Sequence, residues 1–155
     1  MKKYILFIVL YLIVCSFAVT ALAKDWVKYM DSDKMLVDTT QFYKPAPWKI
    51  GFSNASISNS WRVFLQAHLQ YEASIHPEIS EFYITDAQDN STKQLADVED
   101  LLAKGIDLLI IAPTTESALN PAVEKAMEKG VPVVVVDRKV STEAYVTYIG
   151  SSDYQ

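Results

Sequence analysis

Cysteine is nearly absent from this 155-residue chain, with Cys15 the single example. A disulfide framework needs pairs and a Cys-ligated zinc needs several thiolates, so both are excluded. Because Cys15 lies inside an N-terminal apolar run, a cysteine nucleophile is excluded as well. Only two histidines occur, His68 and His76, too few for a His-rich metal site. Glycine is scarce at four residues, and neither GxGxxG nor GxxxxGKS/T, the backbone cradles for phosphates, is present. GxSxG and HExxH are missing too. Carboxylates are plentiful, but no spacing singles out an acid–base pair. The sequence therefore favours binding without chemistry, with no catalytic residues and no cofactor.

Positive charge is also in short supply. Fourteen Lys and Arg face nineteen Asp and Glu, for a net charge of −5. Lys2 and Lys3 precede every acid, so a chain starting at Lys24 carries 12 basic residues and a charge of −7. No basic patch for a phosphate backbone survives, and nucleic acid is not an expected partner. What is abundant is apolar material, at 50% of residues and a mean hydropathy of +0.09. That is too much for a disordered chain and enough for one domain with a core.

The first residues read as an export signal. Met1-Lys2-Lys3 is basic, Tyr4 to about Val19 is apolar, and Thr20-Ala21-Leu22-Ala23 offers the small-x-small ending that a signal peptidase accepts. An uncleaved membrane anchor over Tyr4 to Ala23 is the competing reading. Lipidation at Cys15 is disfavoured because Val14, not a small residue, precedes it. The expectation is a cleavable signal peptide over 1–23 and a periplasmic product. Residues 24–47 read as an N-terminal extension ending in Pro45-Ala46-Pro47, and a domain begins at Trp48.

From Trp48 onward, short apolar runs alternate with amphipathic segments. Strands are predicted at 48–53, 81–85, 107–112, 131–136 and 145–149, and helices at 60–74, 91–104 and 117–129. In the first helix, Trp61, Phe64, Leu65, His68, Leu69 and Tyr71 fall close to helical spacing. Ser91 is the expected N-cap of the second helix, and Gly105 and Gly130 are helix stops. Pro121 is tolerated only in a first turn. The order β-α-β-α-β-α-β-β predicts an α/β fold, a parallel Rossmann-like sheet with helices on both faces. In such sheets ligands sit beyond the carboxyl ends of the strands.

The strand exits carry the candidate site. After the first strand, a hydroxyl- and amide-rich loop from Ser53 through Ser58 leads to Trp61 and Arg62. A ring face beside a guanidinium suits a sugar, whose C–H surface stacks and whose hydroxyls accept from the fork. The bland alternative packs Trp61 into the core and leaves Arg62 solvated. After the second strand comes Asp86, for which a turn-and-cap role is at least as good as ligand contact. After the fourth come Asp137 and Arg138, acceptor and donor for a polyol or else a local ion pair.

Four segments in order, WKIGFSNASISNSWR, ITDAQDNSTKQLADVEDLLAKGIDLLIIAPTTESAL, AMEKGVPVVVVDRKV and YIGSSDY, resemble the type I periplasmic sugar-binding proteins of ABC importers. The resemblance covers Trp48 to Gln155 and includes ribose-, galactose- and galactofuranose-binding proteins. It implies the N-terminal lobe of a two-lobed protein that closes on a monosaccharide and delivers it to an inner-membrane ABC permease. Arg62, Asp137 and Arg138 match family positions that hydrogen-bond the sugar, and Trp61 matches an aromatic position lining the cleft. Ser53, Ser58 and Asp86 fall where relatives often add contacts. Ser60 departs from the Gly or Pro frequent at its position. Family members are roughly twice as long, so the expectation is one lobe of the cleft, with the second absent and weak affinity from the half-cleft. Similar lobes also serve as periplasmic sugar-sensing input domains of membrane receptors, and that reading stays open. A repressor would need a DNA-binding segment where the export signal stands. A small exported hydrolase would need a histidine at a strand exit.

Overall fold

A computed structural model describes residues 38–150. The expected signal peptide, residues 24–37 of the expected extension and residues 151–155 lie outside the described residues.

Five strands form one parallel sheet: β1 Trp48–Asn54, β2 Ile79–Asp86, β3 Leu108–Ala112, β4 Val133–Val136 and β5 Thr147–Ile149. Their spatial order is β2-β1-β3-β4-β5. Three helices connect them, α1 Ser60–Ile75, α2 Ser91–Ala103 and α3 Asn120–Glu128. The α/β class and the alternation expected from the sequence are present. β4 and β5 also pair in parallel, joined by residues 137–146 without a helix.

Successive residues of a strand face opposite sides, and this splits the core in two. Leu109 and Ile111 of β3 and Val133 and Val135 of β4 face α2 and α3, packing on Val98, Leu101, Leu119 and Val123. Phe52, Ala112 and Val136 face the α1 side, where Leu65 and Leu69 meet them. Continuous apolar strands are thus used on both faces, as a parallel sheet requires.

Local chemistry sets the ends. The N-cap of α2 is Asn90, whose Oδ1 accepts from the Lys93 N–H at 3.0 Å. Ser91, the expected cap, is already helical and its hydroxyl pairs with that of Thr114. The third helix starts at Asn120, not 117, which places Pro121 in the first turn where its missing N–H costs nothing. Gly105 and Gly130 follow α2 and α3 with φ of +72° and +75°, the left-handed conformation that glycine adopts without Cβ strain.

At the amino end of the strands, Lys44 pairs with the Asp107 carboxylate and its carbonyl accepts from the Trp48 indole N–H at 2.8 Å. Asp107 also accepts from the Lys49 N–H at 2.8 Å. Residues 38–47 of the expected extension are therefore tied to the sheet at this clasp.

Candidate functional site

At the carboxyl ends of β1 and β4 three side chains converge, Trp61 and Arg62 from the start of α1 and Asp137 from 75 positions beyond Arg62. Asn59 caps α1, its Oδ1 accepting from the Arg62 N–H at 3.0 Å, so the first helical turn begins at the exit of β1. That turn directs Arg62 inward, where it is 5% exposed. Arg62 Nη2 donates to Asp137 Oδ2 at 2.7 Å, and Nη1 donates to Asn54 Oδ1 at 3.3 Å. The other Asp137 oxygen accepts from the Trp61 indole at 3.1 Å.

Asp137 stands just past β4 with φ of +68°, unusual for a residue with a Cβ. Strain of this kind persists where surrounding bonds over-determine it. Here the Asp137 N–H donates to the Ile149 carbonyl at 2.9 Å, and its own carbonyl accepts from the Tyr148 hydroxyl at 2.8 Å. Both carboxylate oxygens thus hold one protein N–H each and keep lone pairs free for ligand hydroxyls. The Trp61 ring, 62% exposed, leaves its surface open to solvent beside them.

The other expected site residues take different places. Arg138 does not pair with Asp137. Its Nη1 donates to the Thr114 carbonyl, bringing the exits of β3 and β4 together. The local ion pair allowed by the sequence is therefore replaced by the Arg62–Asp137 pair. Ser58 shares a hydrogen bond with the buried Ser56 at 2.8 Å, in the loop before α1. Asp86 accepts from the Gln88 N–H at 2.9 Å, the turn role. Ser53 is fully buried and accepts from Gln94 Nε2 at 3.2 Å, so its hydroxyl is not brought to the surface with Trp61 and Asp137.

Two buried amides complete the arrangement and went unread in the sequence. Asn54 lies under Arg62. Gln94 donates to the carbonyls of Ser53 and Ala112 and accepts from the Thr114 N–H at 2.8 Å. One side chain thus ties the ends of β1 and β3 to the loop that Arg138 also holds. Its signal was its spacing: Gln94, Val98 and Leu101 share one helix face.

Among the described residues no cluster of three or more metal-ligating side chains occurs, and no helix is long and apolar enough to cross a membrane. The arrangement can donate from guanidinium, accept at carboxylate and stack on indole, the set that grips a polyhydroxylated ring.

The periplasmic binding protein domain model matches residues 50–155. The chain belongs to that family. The ribose import binding protein of Bacillus subtilis is 39% identical over 104 residues, covering 67% of this chain and 33% of that protein. Among solved structures, the fructose-binding periplasmic domain of a hybrid two-component system is 36% identical with a TM-score of 0.64, covering 69% of this chain and 35% of that one. The periplasmic binding component of the arabinose ABC transporter from Shewanella sp. ANA-3, bound to arabinofuranose, is 30% identical with a TM-score of 0.61, covering 66% and 34%. The chain spans about a third of the length of the relatives it matches. The type I periplasmic sugar-binding resemblance read from the four segments is thereby shown for the family and the fold.

Proposed function

We propose that this periplasmic binding protein domain binds a monosaccharide at the exits of β1 and β4, as the substrate-binding part of an ABC-type sugar importer acting with an inner-membrane permease in the periplasm. The observation that carries the reading is the Trp61–Asp137–Arg62 constellation, in a chain whose relatives include a ribose import binding protein. The sugar stacks on Trp61 and its vicinal hydroxyls bridge Asp137 and Arg62. Arg138 and Ser58 border the same exits, and Asp86 lies at the neighbouring exit of β2, where its carboxylate shapes the turn. Binding needs no bond making or breaking, which fits a non-enzymatic role.

A titration of the chain with D-ribose, D-fructose, L-arabinose and D-galactose, followed through the Trp61 indole NMR signal, tests the reading. A saturable shift with one of these sugars is expected. No shift with any of them at tens of millimolar would overturn it. Trp61, Arg62 and Asp137 meet a sugar from one side, so the affinity of this wall alone is expected to be weak, since tight sites bury most of their ligand. Arg62→Ala and Asp137→Ala are each expected to weaken binding by about 1.5–3 kcal/mol, the range for hydrogen bonds to charged groups.

A second reading has its own support. The similarity to a fructose-binding periplasmic domain of a hybrid two-component system fits a sensing input domain that reports a sugar. Co-purification distinguishes the two: a permease partner supports import, and a membrane-bound kinase supports sensing.

A further inference from the structure

Asn54 is fully buried at the last position of β1, directly beneath the candidate site. A buried amide is costly unless its polar atoms are paired, and here the pairing is one-sided. Its Oδ1 accepts from Arg62 Nη1 at 3.3 Å, while its Nδ2 has no protein partner. Its strand neighbours on the same side of the sheet, Phe52 of β1 and Ala112 of β3, are apolar. An apolar side chain would complete that packing without leaving an orphaned donor. The polar choice is explained by what it holds: a guanidinium whose other arm grips Asp137 at 2.7 Å.

We propose that Asn54 is a positioning residue for sugar binding, acting through Arg62 and resting on the binding role given above to Arg62 and Asp137. A guanidinium held at only one nitrogen rotates about its side-chain bonds. Held at Nη1 by Asn54 and at Nη2 by Asp137, it is fixed in plane, and its remaining N–H bonds keep constant directions. Preorganisation of this kind lowers the ordering cost of binding without adding any contact to the ligand. The relay runs from Asn54 through Arg62 to Asp137 and Trp61. A residue that never touches the sugar thereby sets the donor geometry that the sugar meets.

The test separates this role from the binding reading. In the ligand-free 155-residue chain, the Arg62 guanidinium 15N signals are expected to be resolved and slowly exchanging. They should broaden or merge in Asn54→Ala and return in Asn54→Asp, which keeps an acceptor at Oδ1. Arg62 signals unaffected by Asn54→Ala, or not restored by Asn54→Asp, would overturn the proposal. With D-ribose as probe, Asn54→Ala is expected to weaken binding by about tenfold in the wild-type background and by nothing further in Arg62→Ala. Full additivity of the two losses would also overturn it. If D-ribose fails to bind while the Arg62 signals still follow Asn54, the positioning role stands for this chain and D-ribose binding falls.

Discussion

The two sides of the sheet are built to different standards. On the side of α2 and α3, thirteen buried residues, including Leu101, Leu109, Ile111 and Val133, form one continuous core. On the side of α1 the buried apolar cluster among the described residues is Phe52, Ala112 and Val136, with Leu65, Leu69, Ile110 and Val134 half-covered around them. The outward face of α1 carries Phe64 at 62%, Tyr71 at 60% and Ile75 at 51% exposure. The difference separates where the fold is held from where the candidate site is built. The first side holds the fold through apolar burial. On the second, the start of α1 is held by polar bonds from Arg62 to Asn54 and Asp137, the same bonds that shape the candidate site.

The sharpest way to break this comparison is to remove equal volumes from both sides. Leu101→Ala, at a fully buried position against Gly51 and Ile106, is expected to destabilise by about 2–5 kcal/mol in urea unfolding. Leu69→Ala, half-covered on the α1 side, is expected to cost about 1 kcal/mol. Equal losses would show that the α1 side is as well packed as the other. Gln94→Ala comes between them. It leaves the buried Thr114 N–H without its acceptor and takes one of two donors from the Ala112 carbonyl, which keeps the Ala55 N–H, and the penalty for a buried unpaired group puts the loss at about 1–3 kcal/mol. The same variant should also loosen the Thr114 loop, seen as faster amide exchange there.

These contrasts also explain what was legible in the sequence. α2 was read correctly because Val98, Leu101 and Leu102 all point to one dense core, so spacing and burial agree. For α1 the helix was legible and its inward face only in part. Of the six residues near helical spacing, Leu65 and Leu69 do face the core, but they share that face with Arg62, while Trp61, Phe64, His68 and Tyr71 are exposed. Hydropathy ranks Trp and Phe above Arg, and it carries no information about a carboxylate 75 positions away that offsets the cost of burying the arginine. For the same reason Asp137 and Arg138 read as neighbouring acceptor and donor for one polyol, or else as a local ion pair. Their separation depends on the left-handed φ at Asp137 and on the Thr114 carbonyl, both set by tertiary structure. Ser53 shows the limit of reasoning by strand exit, because it lies one residue too early and its hydroxyl faces Gln94 inside the sheet.

A smaller effect sharpens the contrast from the exposed side. Phe64→Ser removes a ring that is mostly in water, although it lies 6.3 Å from the His68 ring, centroid to centroid. A stability change within about 0.5 kcal/mol is expected, as for surface positions without a buried partner. A loss near that of Leu101→Ala would mean that the outer face of α1 is covered in solution.

The smallest effect concerns the clasp at the amino end of the strands, where charge does what burial does elsewhere. Burial alone would raise the Asp107 carboxyl, but the Lys44 ammonium and the Lys49 backbone N–H outweigh it and hold the group below its ordinary value. A carboxyl lowered in the folded state stabilises the fold fully above its unfolded value of about 4 and loses that contribution as pH falls through the lower folded value. Unfolding midpoints followed from pH 6 down to pH 2 should therefore decline more steeply in the wild-type chain than in Asp107→Asn, which keeps an acceptor but has no charge to lose. Since Lys44 is mostly exposed and such pairs are screened, 0.5 M salt should narrow the gap between the two curves. If the curves run parallel at low salt, the clasp holds residues 38–47 by shape and neutral hydrogen bonds alone, and the Asp107 charge adds nothing to the fold.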